Sequence, residues 1–80
     1  MIKIAVQYFA SLREQRGLSV ESLDFSGQTA LDLYELLRRQ HGFAMSPDSM
    51  RVAVNDEFKP WPTLLQQGDT VTFIPPVAGG

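Results

Sequence analysis

The reactive side chains of this 80-residue sequence are few and scattered. There is no cysteine, which removes disulfides, thiolate metal sites, iron–sulfur ligation and a cysteine nucleophile together. His41 is the single histidine. It ends the main helical pattern without a second His, a Cys or clustered carboxylates to complete a metal site, and reads as a histidine favoured by a helix C-terminus. Asp56 and Glu57 are neighbours in a turn, where carboxylates usually face water rather than converge as acid and base. Ser11, Ser46 and Ser49 have no nucleophile-elbow context, and no glycine-rich phosphate loop follows a strand. Trp61 stands between two prolines, and a plug over the end of the core outweighs a ligand platform as its role.

The C-terminal segment IPPVAGG, residues 74 to 80, offers a different kind of group. Pro75 and Pro76 have no N–H to give to a ladder and favour an extended path, so they should detach the last residues from a sheet. Four residues beyond them reach on the order of 13 Å. Val77 and Ala78 are small, and Gly79 and Gly80 bare, so the arm could thread a narrow channel in another protein and present its terminal carboxylate there. That carboxylate, with a pKa of about 3.5, is ionised at neutral pH and can attack the α-phosphate of ATP to give an acyl-adenylate. The chain has no nucleotide site, so an activating enzyme would have to supply one. A frayed, glycine-rich terminus without a role fits the same residues equally well.

The elements that would position such an arm are legible from periodicity. Residues 2–8 alternate, with Ile2, Ile4, Val6 and Tyr8 on one face and Lys3, Ala5 and Gln7 on the other, which predicts a half-buried strand. Phe9 to Gly17 predicts a short helix closed by glycine. In LSVESLDF the alternation changes phase, which predicts either a bulge or a strand that begins only near Val20. Thr29 with Asp32 three residues on is a capping pattern, and Ala30, Leu33, Tyr34, Leu37 and His41 mark the apolar face of the helix that follows, ended by Gly42. After a loop, Arg51–Asn55 is extended, Asn55 and Asp56 turn the chain, and Glu57 and Phe58 resume extension before the irregular KPWP. Residues 70–74 form the last strand, with Val71 and Phe73 opposite Thr70, Thr72 and Ile74, and the prolines stop it.

Composition fits one small domain over residues 1–80, with residues 76–80 as a protruding tail. A chain of this length hides only about 60 to 65% of its unfolded surface, leaving little material for an enclosed active site. Seven basic and nine acidic residues give a net charge of −2 without a basic stripe, which argues against nucleic acid as a partner. No stretch approaches the roughly 18 apolar residues of a membrane span, and the start lacks the pattern of a signal peptide. The expectation is a cytoplasmic protein. One long helix cannot cover both faces of a four- or five-stranded sheet, so one face should stay accessible.

FASLRE at 9–14, the central helix from Thr29, VAVN at 52–55 and LLQQGDTVTFIPPVAGG from 64 onward together resemble the MoaD-type sulfur carriers, the small subunits of molybdopterin synthase. Gly68, Asp69, Pro75, Pro76, Gly79 and Gly80 are the most specific positions. The departure is Thr70, where the family has an acidic residue. The resemblance implies an α+β, ubiquitin-like β-grasp fold: a mixed sheet of four to five strands on one main helix, with a flexible tail. It implies that the Gly80 carboxylate is adenylated by a MoeB-type enzyme and becomes a thiocarboxylate. Pro75, Pro76, Val77, Ala78 and Gly79 would then insert into a MoaE-type large subunit, in a heterotetramer, where the sulfur builds the dithiolene of molybdopterin.

On the same resemblance the chain binds no cofactor, ATP and the sulfur donor being used by the activating enzyme, and shows no turnover alone. Phe9, Phe58 and Ile74 match the apolar partner surface, and Ile74 stands out on the otherwise polar Thr70 and Thr72 face. Arg13 is either a polar contact or a solvated helix charge. Three rivals remain: a ThiS-type carrier for thiazole synthesis, a ubiquitin-like modifier joined through Gly80, and a β-grasp interaction module without transfer chemistry.

Overall fold

A computed structural model describes residues 1–75. The chain runs β1 (Ile2–Tyr8), α1 (Ala10–Arg16), β2 (Val20–Phe25), α2 (Ala30–His41), β3 (Arg51–Val54), β4 (Glu57–Lys59) and β5 (Thr70–Ile74), with a 3₁₀ turn at Pro47–Ser49 in the loop before β3. The strands form one sheet in the order β2-β1-β5-β3-β4. β1 is antiparallel to β2 and parallel to β5, and β3 is antiparallel to both β5 and β4. The last strand is therefore the middle one. Its C-terminal end, at Ile74, therefore lies between two strands rather than at an edge of the sheet.

One face of the sheet and one face of α2 make the core. Ile4, Val6, Tyr8, Val52, Val54, Val71 and Phe73 pack with Ala30, Leu33, Tyr34 and Leu37, as the two periodicities require. The phase change in the second strand resolves as a start at Val20: the register sets Leu23 opposite Ile4 and Phe25 opposite Ile2, while Val20 faces away beside Gln7. Trp61 plugs the core end as expected, its ring 5.7 Å from Tyr34 and stacked 6.1 Å from Phe73. His41 is half-buried, 5.7 Å from Phe43.

The two helices are held by different means. At α2 the capping box is complete: Thr29 Oγ1 accepts from the Asp32 N–H at 3.1 Å, and Asp32 Oδ2 accepts from the Thr29 N–H at 3.1 Å. The N–H groups of Ala30 and Leu31, which no helical carbonyl can reach, donate to the carbonyls of Thr63 and Trp61 at 3.0 and 3.1 Å. The irregular segment after β4 thus serves as part of the helix cap. Both backbone N–H groups that bond Asp32 hold its carboxyl below the usual range, Thr29 more than Gln28.

α1 has no side-chain cap and no acidic residue in its first turn. Seven residues without a cap are marginal alone, so tertiary contacts must hold it. Leu12 is fully buried, and the Arg16 guanidinium grips Glu21 of β2 with Nε and Nη2 at 2.8 and 2.9 Å. The Tyr8 hydroxyl donates to the same carboxylate at 2.6 Å. Arg16 lowers the Glu21 carboxyl below its ordinary value, with the Tyr8 hydrogen bond adding to the effect. Burial, then the bond to Glu21, raises the Tyr8 hydroxyl well above the ordinary tyrosine range.

Candidate docking surface and the base of the tail

The face of the sheet away from α2 follows from strand register. Gln7 lies beside Val20 on one side and Thr72 on the other, Thr72 beside Ala53, and Ala53 beside Phe58, so these five residues form a row across all five strands. Arg51 and Ile74 pair in the adjoining row at the C-terminal end of β5. Phe9 follows β1 at the same end and is 49% exposed, while Phe58 on the edge strand is 62% exposed. Phe9, Phe58 and Ile74, singled out from the sequence, are thus brought together around one shallow hollow of about 170 Å³. Two exposed aromatic rings and Ile74 gathered around one hollow form a contiguous apolar patch, of the kind that interaction surfaces carry.

The hollow is not uniformly apolar. Ala53 completes its wall, but Gln7 and Thr72 lie at its floor and Asp56 at its rim. Thr72 is 5% exposed and donates its hydroxyl to Gln7 Oε1 at 2.8 Å, which satisfies a polar group that would otherwise be costly to bury. Asp56, read from the sequence as a turn carboxylate facing water, is exposed but borders the hollow. Its neighbour Glu57 instead pairs with Lys59 at 3.2 Å. The Arg51 guanidinium lies 5.5 Å from the centre of the Phe58 ring, a cation–π arrangement that steadies an exposed side chain. Arg13 is exposed on α1 and has no ion pair among the described residues.

The register of β5 is set at its other end. Gly68 has φ +87°, a conformation that only glycine takes without strain, and its N–H donates to the Lys3 carbonyl at 2.9 Å. Asp69 Oδ2 accepts from the Gln66 N–H at 2.8 Å, and Oδ1 accepts from Asn55 Nδ2 at 2.9 Å. Asn55 Oδ1 in turn accepts from the Thr70 N–H at 2.9 Å. Asn55 and Asp56 both have positive φ, the pairing that a two-residue hairpin turn requires. This clasp fixes the β3–β4 turn to the first residue of β5, and so fixes the register of the strand that carries the tail. Pro75 is buried against the domain. Pro76, Val77, Ala78, Gly79 and Gly80 lie outside the described residues.

Among the described residues no group of three or more His, Cys, Asp or Glu could hold a metal, and no helix is long and apolar enough to cross a membrane. The aromatic-rimmed hollow beside the end of the central strand is one of several hollows on the surface, and it is the one that gathers Phe9, Phe58 and Ile74.

Comparison with known proteins gives this arrangement its relatives. The ThiS family model matches residues 6–80. The molybdopterin synthase sulfur carrier subunit of Haemophilus influenzae is 31% identical over 78 residues, covering 94% of this chain and 96% of that protein. Among solved structures, the putative molybdopterin converting factor, subunit 1, of Pyrococcus furiosus superposes with a TM-score of 0.80 at 29% identity, over 96% of this chain and all of that one, 100%. SAMP1 of Haloferax volcanii, a small archaeal modifier protein, also gives 0.80, at 26% identity over 98% and 99% of the two chains. With its five-stranded mixed sheet, its single main helix and its match over almost the whole length, this chain belongs to the ThiS/MoaD family of ubiquitin-like β-grasp proteins.

Proposed function

We propose that the chain is a sulfur carrier for molybdopterin synthesis that acts through the C-terminal carboxylate of Gly80. The full-length relationship to a molybdopterin synthase sulfur carrier subunit carries this reading. A carboxylate oxygen attacks the α-phosphate of ATP in a MoeB-type enzyme, releasing pyrophosphate. Hydrosulfide released by a sulfur donor then displaces AMP, the acyl–oxygen bond breaking as the acyl–sulfur bond forms, and a thiocarboxylate is left. Glycine suits that end because an acyl-adenylate without a side chain can be reached in a narrow channel from either side. The sheet face around Phe9, Phe58 and Ile74 docks on the large, MoaE-type subunit, and the arm of Val77, Ala78 and Gly79 enters its active site. Two such pairs make a heterotetramer, working in the cytoplasm where ATP and the activating enzyme are.

The test is reconstitution. The thiocarboxylated chain, mixed with a molybdopterin synthase large subunit and cyclic pyranopterin monophosphate, should yield the dithiolene and return as the carboxylate. A chain lacking Gly80 should fold and yield none. Dithiolene formation by that truncated chain would contradict the mechanism.

The likeness to SAMP1 favours a second reading, a modifier joined through Gly80 to lysines of other proteins. Isopeptide adducts in cells would support it. Sulfur transfer to a thiazole synthase, but not to the molybdopterin synthase, would instead favour the ThiS-type role.

A further inference from the structure

The polar groups of the hollow on the open sheet face have an uneven balance. The Thr72 hydroxyl proton is committed to Gln7 Oε1, so Thr72 Oγ1 keeps acceptor capacity, as does Gln7 Oε1 through its second lone pair. At the rim, the Asp56 carboxylate has neither an ion pair nor a side-chain hydrogen bond among the described residues. Among the lining side chains the one uncommitted donor group is the Gln7 amide nitrogen. The walls are the exposed rings of Phe9 and Phe58 with Ile74. A volume of about 170 Å³ lies below the range of small-molecule sites, roughly 300–1,000 Å³, and suits one long side chain.

A guest for such a hollow must have an apolar stem, a face that stacks on aromatic rings, several donors and a positive charge. Arginine meets all four requirements: its guanidinium has five donors and no acceptor and stacks on rings. Lysine presents a compact, strongly hydrated ammonium, and leucine leaves the acceptors and the carboxylate unpaired. We propose that this hollow receives an arginine side chain of the partner protein, stacked between Phe9 and Phe58 and bonded to Asp56 and the Gln7–Thr72 floor. The chain's own Arg51 lies over Phe58 but does not line the hollow. The inference rests on reading this face as the docking surface, and it adds the chemistry of the residue that face takes.

The experiment titrates the ¹⁵N-labelled full chain with N-acetyl-arginine amide, N-acetyl-lysine amide and N-acetyl-leucine amide, following the amide signals of Gln7, Asp56, Phe58 and Thr72. The arginine derivative should give saturable shifts confined to these residues, several-fold tighter than the lysine derivative and weakened by salt. In Asp56→Asn, which keeps a residue tolerant of positive φ in the turn, binding should fall about tenfold. Thr72→Val, which removes a floor acceptor at nearly constant volume, supplies a second variant and should weaken it too. Equal or tighter binding of the leucine derivative, equal binding of arginine and lysine, or no saturable shift at these residues would overturn the proposal. Because the titration needs no second protein, its failure is distinguishable from failure of the carrier reading.

Discussion

Asn55 stabilises the domain through two hydrogen bonds and a backbone conformation, and three substitutions separate these contributions. Its Nδ2 donates to Asp69 and its Oδ1 accepts from the Thr70 N–H, both at 2.9 Å, while its φ is +53°. The bonds are exposed to solvent, so each is worth about 0.5–1 kcal/mol, the lower part of the usual range. Asn55→Gly removes them, keeps the conformation and adds some chain entropy to the unfolded state, for a loss of about 1.5–2.5 kcal/mol. Asn55→Ala removes the same bonds and also forces a Cβ into the left-handed region, which costs roughly 1–2 kcal/mol, so it should lose about 2–4 kcal/mol in all. Asn55→Asp keeps an acceptor for Thr70 and tolerates the turn, but sets a carboxylate against Asp69. It should therefore be destabilised at pH 7 and recover as the pH falls and one of the two carboxyls takes up a proton. Urea unfolding with unchanged m-values reads each difference directly. If Asn55→Ala stays within about 0.5 kcal/mol of the parent, or if the deficit of Asn55→Asp relative to the parent is no smaller near pH 4 than at pH 7, the clasp does not hold β5 in register.

Glu21 should make stability depend on acid. Its folded pKa lies below the unfolded value of about 4.3, so its contribution is full above that value and is lost as the pH falls through the folded pKa. The stability gap between the parent and Glu21→Gln, measured by chemical unfolding, should therefore be largest near neutrality and shrink below about pH 4; a constant gap would sink this account. Leu33→Ala, at a fully buried position of α2, should cost about 2–5 kcal/mol by thermal or urea unfolding. Phe58→Asp should leave the fold and Tm nearly unchanged, because that ring is largely exposed, yet weaken large-subunit binding by a factor of about 30 or more in calorimetry. Retained binding would show that this face does not dock.

The strands and both helices were readable because their periods are clean: Ile4, Val6 and Tyr8 alternate, and Ala30, Leu33, Tyr34 and Leu37 recur at helical spacing. The strand order was not, since nothing local tells Val71 that it will lie beside Val6 rather than at an edge. Three further features depend on residues distant in sequence. The carbonyls of Trp61 and Thr63 cap α2 from an irregular stretch, Glu21 looks like a surface charge until Arg16 and Tyr8 converge on it, and Asp56 looks like a solvated turn residue until β5 and Phe9 frame the hollow. A signal for Asn55 existed, since Asn-Asp between two extended segments is a turn pair. Its bond to Asp69, fourteen residues on, had none. Phe9, Phe58 and Ile74 were picked out by the resemblance to the carrier family, and Ile74 alone also by its own position, an apolar side chain on the otherwise polar Thr70 and Thr72 face.

If function resides in the terminal carboxylate of Gly80, the intact mass of the full chain must record it. The chain is incubated with a MoeB-type enzyme, ATP and a sulfur donor, beside a known carrier as control. The expected result is a mass gain equal to one oxygen-for-sulfur exchange, located at the C-terminal residue by fragmentation and absent when Gly80 is deleted or ATP withheld. An unchanged mass under conditions that convert the control, or the same gain in the chain lacking Gly80, would contradict it.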